Sequence, residues 1–202
     1  VQDSPVTKFH SGAGYQYEDS VIYGFTHTNK GHWNLCHIPL LPVTGTPTPG
    51  DYCSPFSHER ESAAPGYYQV FLDRYGVDAQ LSSTLRCAFH KYTYPAGAAP
   101  AVLADLQRSN EHVRAWDIRK EGDNVFAGWQ QTGEKMYFYA VANRPVTGIE
   151  PVVEGDREVR IVRFGEGDGA LELRIGFSFV SEKNARENLE AEMLGKSFAE
   201  VR

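Results

Sequence analysis

Between Tyr67 and Ile175 apolar and polar residues mostly alternate with a period of two, the pattern of strands that bury one face and wet the other. The alternation predicts strands over residues 67–72, 79–94, 101–106, 113–119, 124–132, 135–142, 158–164 and 170–179, with a shorter one at 21–25. The first two, joined through a turn at Arg74-Tyr75-Gly76, read as a hairpin. Turns are also predicted at Glu121-Gly122-Asp123-Asn124, Thr132-Gly133-Glu134 and Gly165-Glu166-Gly167-Asp168-Gly169. The last of these lies between strands and reads as a hairpin turn, not a phosphate loop. Many short strands with Gly-rich turns predict a sandwich or barrel in preference to an α/β fold.

Near the C-terminus the period changes. Ser181 can cap a helix in which Ala185, Leu189 and Met193 recur every four residues, and Gly195 can stop it. Glu182, Arg186, Glu187, Glu190 and Glu192 leave that helix one narrow apolar stripe, as in a connector that covers something. The Pro, Gly and Thr of residues 42–50 read as a loop. Both chain ends read as cut, because residues 1–2 lack a cap and residues 198–202 lack a stop.

A chain of 202 residues suits one domain, or one with a small appendage. A formal charge of -6 without any basic run argues against nucleic acid, which is bound through clustered positive charge. No apolar run nears the ~20 residues that span a bilayer, and the first residues do not form a signal peptide. The expectation is a soluble protein whose signal peptide, if any, has been removed. Cys36, Cys53 and Cys87 are too few for a disulfide scaffold and lack zinc spacing; one pair could bridge, but all three are expected to be reduced.

Candidate chemistry gathers between Tyr17 and Cys36, where acids, amides, imidazoles and aromatics share a short Gly-punctuated stretch. A sugar needs acceptors for its hydroxyls, donors for its oxygens and a flat apolar surface for its C–H face. Glu18 and Asp19 are candidate acceptors; His27, Asn29, Lys30 and His32 are candidate hydrogen-bonding groups; Trp33 is a candidate stacking surface. Each has a plainer alternative, as turn acids, a loop histidine, a solvated lysine or a packing tryptophan. His27, His32 and His37 are spaced by five, which matches no zinc pattern, and calcium would want oxygen ligands. His58 and His90 read as fasteners of strands or of a domain interface. Ser57 and Cys53 have no nucleophile elbow or base at characteristic spacing.

Several blocks carry a family resemblance. They are Gly14-Tyr15-Gln16-Tyr17-Glu18-Asp19-Ser20 with Ile22-Tyr23-Gly24-Phe25-Thr26-His27-Thr28; Leu40-Leu41-Pro42-Val43-Thr44-Gly45; Phe56-Ser57-His58-Glu59-Arg60-Glu61-Ser62-Ala63-Ala64-Pro65-Gly66-Tyr67-Tyr68; and Phe89-His90-Lys91-Tyr92-Thr93-Tyr94-Pro95. In order and spacing they resemble the N-terminal domain of glycoside hydrolase family 92, calcium-dependent exo-acting α-mannosidases. The resemblance implies an all-β fold: a two-sheet antiparallel β-sandwich, supersandwich-like, over residues 1–180, without the family's first few tens of residues. Residues 181–202 would be a C-terminal linker helix leading towards an (α/α)6 catalytic domain. It further implies that calcium and the two catalytic carboxylates sit mainly on that helical domain, so no catalytic residue and no metal ligand is assigned to this chain, which alone would be inactive. A mannose-containing glycan and the helical domain are the implied partners, and the implied location is secreted, periplasmic or cell-surface in a bacterium. The family pattern gives way at Asn29-Lys30-Gly31-His32-Trp33-Asn34, where a Lys and a Trp could favour an unusual, even phosphate-bearing, leaving group. Readings from other classes are a non-catalytic carbohydrate-binding module and a cupin-like metal enzyme.

Overall fold

The computed structural model describes residues 15–30, 33–34 and 36–202, with the backbone alone at 29–30 and 33–34. The strands are β1 (Val21–Ile22), β2 (Asn29–Lys30), β3 (Trp33–Asn34), β4 (Leu40–Val43), β5 (Ser54–Pro55), β6 (Glu61–Ala64), β7 (Tyr67–Leu72) and β8 (Val77–Ser83). They continue as β9 (Cys87–Thr93), β10 (Ala101–Ala104), β11 (Ala115–Gly122), β12 (Val125–Gln131), β13 (Lys135–Ala142), β14 (Val146–Glu154), β15 (Arg157–Phe164) and β16 (Leu171–Ser178). A 3-10 turn spans His58–Arg60, and two helices, α1 (Glu182–Met193) and α2 (Phe198–Val201), close the chain.

The fold is the expected all-β antiparallel sandwich with a C-terminal helix. One sheet has eight strands in the order β11-β12-β13-β16-β9-β8-β7-β6, and the other has four in the order β14-β15-β10-β4. The pairs β1-β5 and β2-β3 lie outside them. Strand β13 shows how sequence becomes layer: Met136, Phe138, Ala140 and Ala142 are buried in the main core, while Tyr139 and Val141 point to the opposite face. That opposite face is where α1 lies. Its stripe of Ala185, Leu189 and Met193 is buried, and Leu189 and Met193 pack with Phe89 and Cys87 of β9. Close approach needs Gly176 on β16, since a Cβ there would sit 2.1 Å from the Ala185 carbonyl oxygen. Ser181 caps α1 by accepting from the Asn184 N–H, as its sequence position predicts.

Five stretches depart from the periodicity reading. Residues 79–94 are not one strand: the chain turns at Thr84, whose N–H donates to the Cys87 carbonyl, and β8 and β9 form a second hairpin. That turn carries no Gly, Pro, Asn or Asp, and its one local signal, the run Ser82-Ser83-Thr84, is submerged in the alternation on either side. The Gly165–Gly169 stretch joins β15 in the small sheet to β16 in the large one, so it is a crossover and not a hairpin turn. Strand β4 is buried along its whole length and shows no alternation, whereas β14 is a largely exposed edge strand interrupted by Gly148 and Pro151. Helix α2 begins at Ser197 with a reciprocal Ser197–Glu200 capping box, an arrangement not expected of residues 198–202. No disulfide joins Cys36, Cys53 and Cys87, and burial pushes the Cys87 thiol up to about 12.

Candidate functional site

The segment after β1 reaches the core through Phe25, which exchanges backbone hydrogen bonds with Leu40 at 2.8 and 3.1 Å. Two residues on, the His27 N–H donates to the His37 carbonyl and the chain enters the hairpin β2-β3, paired Asn29 to Asn34 and Lys30 to Trp33. The return from the hairpin is strained. Cys36 and Ile38 hold φ of 54° and 51°, a left-handed conformation that a β-branched residue such as Ile rarely adopts and that costs ~1–3 kcal/mol each.

Buried hydrogen bonds offset that cost. The Ile38 N–H donates to Gln130 Oε1 at 2.8 Å, and Gln130 Nε2 donates at 2.9 Å to the carbonyls of both Leu106 and Arg108. The Ile38 carbonyl accepts from His27 Nδ1 at 2.9 Å. A carbonyl can only accept, so His27 carries its proton on Nδ1 and presents a lone pair at Nε2. His90 Nε2, 3.2 Å away, must then be the donor, and His90 Nδ1 accepts from the Tyr92 hydroxyl at 2.6 Å. Every group is satisfied with both rings neutral. Burial pulls His27 down to about 3 and carries His90 well below its ordinary value.

Beside this chain His37 is 2% exposed; its Nε2 meets the Thr132 hydroxyl at 3.1 Å, and that hydroxyl donates to Glu111 at 2.6 Å. His37 Nδ1 has no hydrogen-bond partner among the described residues, and burial lowers the ring's pKa against the opposing pull of Glu111.

His27 and His90 form part of the wall of a cleft of about 740 Å³, bounded also by Tyr68, Leu85, Phe179 and Asn184. The sequence-predicted residues are not all gathered there. His27 is, but both of its ring nitrogens are engaged inside the protein, so a sugar hydroxyl would have to displace one of them. Asn29, Lys30 and Trp33 occupy the adjoining hairpin, and His32 lies outside the described residues. Glu18 is exposed at a turn, Asp19 is 3% exposed, and neither lines the cleft.

His58 is a fastener, as its sequence context suggested. Its Nε2 donates to the Tyr17 carbonyl at 2.7 Å and its Nδ1 meets Glu61 at 2.5 Å, while the Tyr17 ring stacks on it with centroids 4.1 Å apart. Glu61 also accepts from the hydroxyls of Tyr15 and Tyr68 at 3.1 and 2.6 Å. Glu61, Gln130 and Tyr92 did not stand out in the sequence; a buried amide in the register of a core strand is the one signal that could have marked Gln130. Among the described residues no group of three or more His, Cys, Asp or Glu could hold a metal ion.

Fold and sequence comparison define the class as a β-sandwich domain of the glycoside hydrolases. The chain belongs to glycosyl hydrolase family 92, matching its N-terminal domain over residues 1–186. Among solved structures it is similar to the family GH92 alpha-mannosidase BT3965 from Bacteroides thetaiotaomicron in complex with mannoimidazole, with a TM-score of 0.86 and 23% identity over 99% of this chain and 31% of that one. It is similar also to the GH92 family glycosyl hydrolase ccman5, with a TM-score of 0.83 and 24% identity over 99% of this chain and 31% of that one. The family GH92 inverting mannosidase BT2199 from Bacteroides thetaiotaomicron VPI-5482 gives a TM-score of 0.78 and 22% identity over 95% of this chain and 29% of that one. At these identities the likeness carries the fold, and the chain spans about 30% of the length of each structure. The comparison with curated proteins returns no match.

Proposed function

We propose that the chain is the N-terminal domain, residues 1–180 with a linker helix at 181–202, of an exo-acting, inverting α-mannosidase that removes terminal α-mannosides from glycans. The observation that carries this reading is the family match over residues 1–186. The wall that this domain would lend to the substrate subsite is the hairpin β2-β3 beside the cleft of His27 and His90. A helical partner domain would bring two carboxylates about 6.5–9.5 Å apart, leaving room for the attacking water that inversion requires. On this reading calcium would be held by that helical domain. The apolar residues Leu85, Phe179 and Val180, exposed beside the start of α1, support such a partner, because a stand-alone module would close that surface. A secreted, periplasmic or cell-surface bacterial location goes with this substrate.

The test is hydrolysis of p-nitrophenyl α-mannoside by the full-length protein, with the product anomer followed by NMR and calcium removed and restored by chelation. Calcium-dependent release of β-mannose by the full-length protein, and none by this chain alone, is the expected result. A full-length protein that binds mannosides without hydrolysing them would replace this reading with that of a carbohydrate-binding module.

A further inference from the structure

We propose that Gln130 is a positioning residue for the hairpin β2-β3, acting through the strained corner at Cys36-His37-Ile38. The proposal rests on the reading that this hairpin lines a mannoside subsite. Three observations converge on it. Gln130 is fully buried on β12, the second strand of the large sheet, and the three side-chain hydrogen bonds that it makes among the described residues all run to loop backbone. Its acceptor oxygen holds the N–H of Ile38, one of two non-glycine residues with positive φ among the described residues. The other face of Ile38, its carbonyl, is held by His27, which is braced by His90 and Tyr92 on β9.

The corner is therefore gripped from both sides by rigid strands, and the hairpin enters and leaves through that grip. An apolar residue at 130 would have filled the core as well. A polar one whose amide ties the strained corner at Ile38 to the backbone of Leu106 and Arg108 fixes the corner's conformation, and a subsite wall needs a fixed conformation to orient a leaving group. Gln130 touches no substrate; its effect would pass through Ile38 and His27 to the hairpin.

The experiment uses the full-length protein with Gln130→Met, which keeps the volume and removes all three bonds. Expected is a tenfold or greater loss of kcat/KM on a mannosyl-α-mannose disaccharide, with less than a twofold loss on p-nitrophenyl α-mannoside. Amide exchange should quicken at least tenfold at His27 and in β2-β3 while β9 and β13 keep their protection. Equal losses on both substrates, or exchange that quickens everywhere, would reduce Gln130 to a packing residue and overturn the proposal. If the wild-type protein hydrolyses no mannoside, the functional reading fails and the exchange result alone decides whether Gln130 grips the hairpin. If Gln130→Met does not fold, Gln130→Glu takes its place. Its protonated acid keeps the acceptor for Ile38 and one donor, so the ratio of hairpin exchange in this variant to that in the wild-type protein at the same pH should be smaller at pH 5 than at pH 8. No difference between the two pH values rejects the grip.

Discussion

His27 Nε2 accepts a hydrogen bond from His90 Nε2 at 3.2 Å, and this pair joins the loop that leads into the β2-β3 hairpin to the centre of the large sheet. Neither ring can take a proton without cost, because burial disfavours the charged form of each. Both folded-state pKa values are depressed below 6.5, so under acid conditions the unfolded chain binds more protons than the folded one. Stability is thus fully present above pH 6.5 and falls as the pH drops from there towards about 3, where His27 titrates. Each histidine adds a slope of at most about 1.4 kcal/mol per pH unit. Urea denaturation at pH 7.5, 6 and 5 should show this decline, and His90→Phe should flatten it; a slope unchanged by the substitution would assign the acid sensitivity elsewhere.

His58 has the opposite sign. Both of its ring nitrogens face acceptors, the Glu61 carboxylate and the Tyr17 carbonyl, so the doubly protonated ring fits and its pKa is raised, chiefly by the Glu61 bond. Its contribution is fully present below pH 6.5 and disappears as the pH rises through the raised folded value. His58→Gln should accordingly lower Tm more at pH 6 than at pH 9. An equal loss at the two pH values would mean that His58 works by stacking on Tyr17 and not by charge.

The layers were legible in the sequence wherever burial was one-sided. Strand β13 and the stripe of α1 could be read residue by residue, since alternation and four-residue spacing report directly which side faces the core. Strand β4, buried throughout, and β14, exposed at an edge, carry no such contrast and were missed. At the candidate site the chemistry-bearing residues of 27–33 were visible as types, but their partners were not. Ile38, His90 and Gln130 come from 11, 63 and 103 positions away from His27, brought there by sheet topology that local pattern does not encode.

Gly176 sets how closely α1 can lie on the sheet. A Cβ at this position would meet the Ala185 carbonyl oxygen at 2.1 Å and the Leu189 Cβ at 2.8 Å, and the first of these is backbone that cannot swing aside. Gly176→Ala should therefore lift the helix and cost ~1–3 kcal/mol, as overpacking does elsewhere. Equilibrium denaturation measures the loss. A wild-type midpoint would show that the helix shifts freely, and hence that its seat on Phe89 and Cys87 is loose.

Trp33 pairs with Lys30 across the hairpin. If the hairpin is a subsite wall, the indole supplies the flat apolar surface that a sugar ring stacks on, an interaction that orients the ring as well as burying it. Trp33→Ala in the full-length protein should then lower kcat/KM for mannosides by tenfold or more, about 1.4 kcal/mol of transition-state stabilisation. A domain-interface role makes a different forecast. There the same substitution would lower Tm and leave kcat/KM of the folded fraction unchanged. Measuring both quantities on one preparation separates the two, because a stacking residue at an open subsite moves kcat/KM with little effect on Tm.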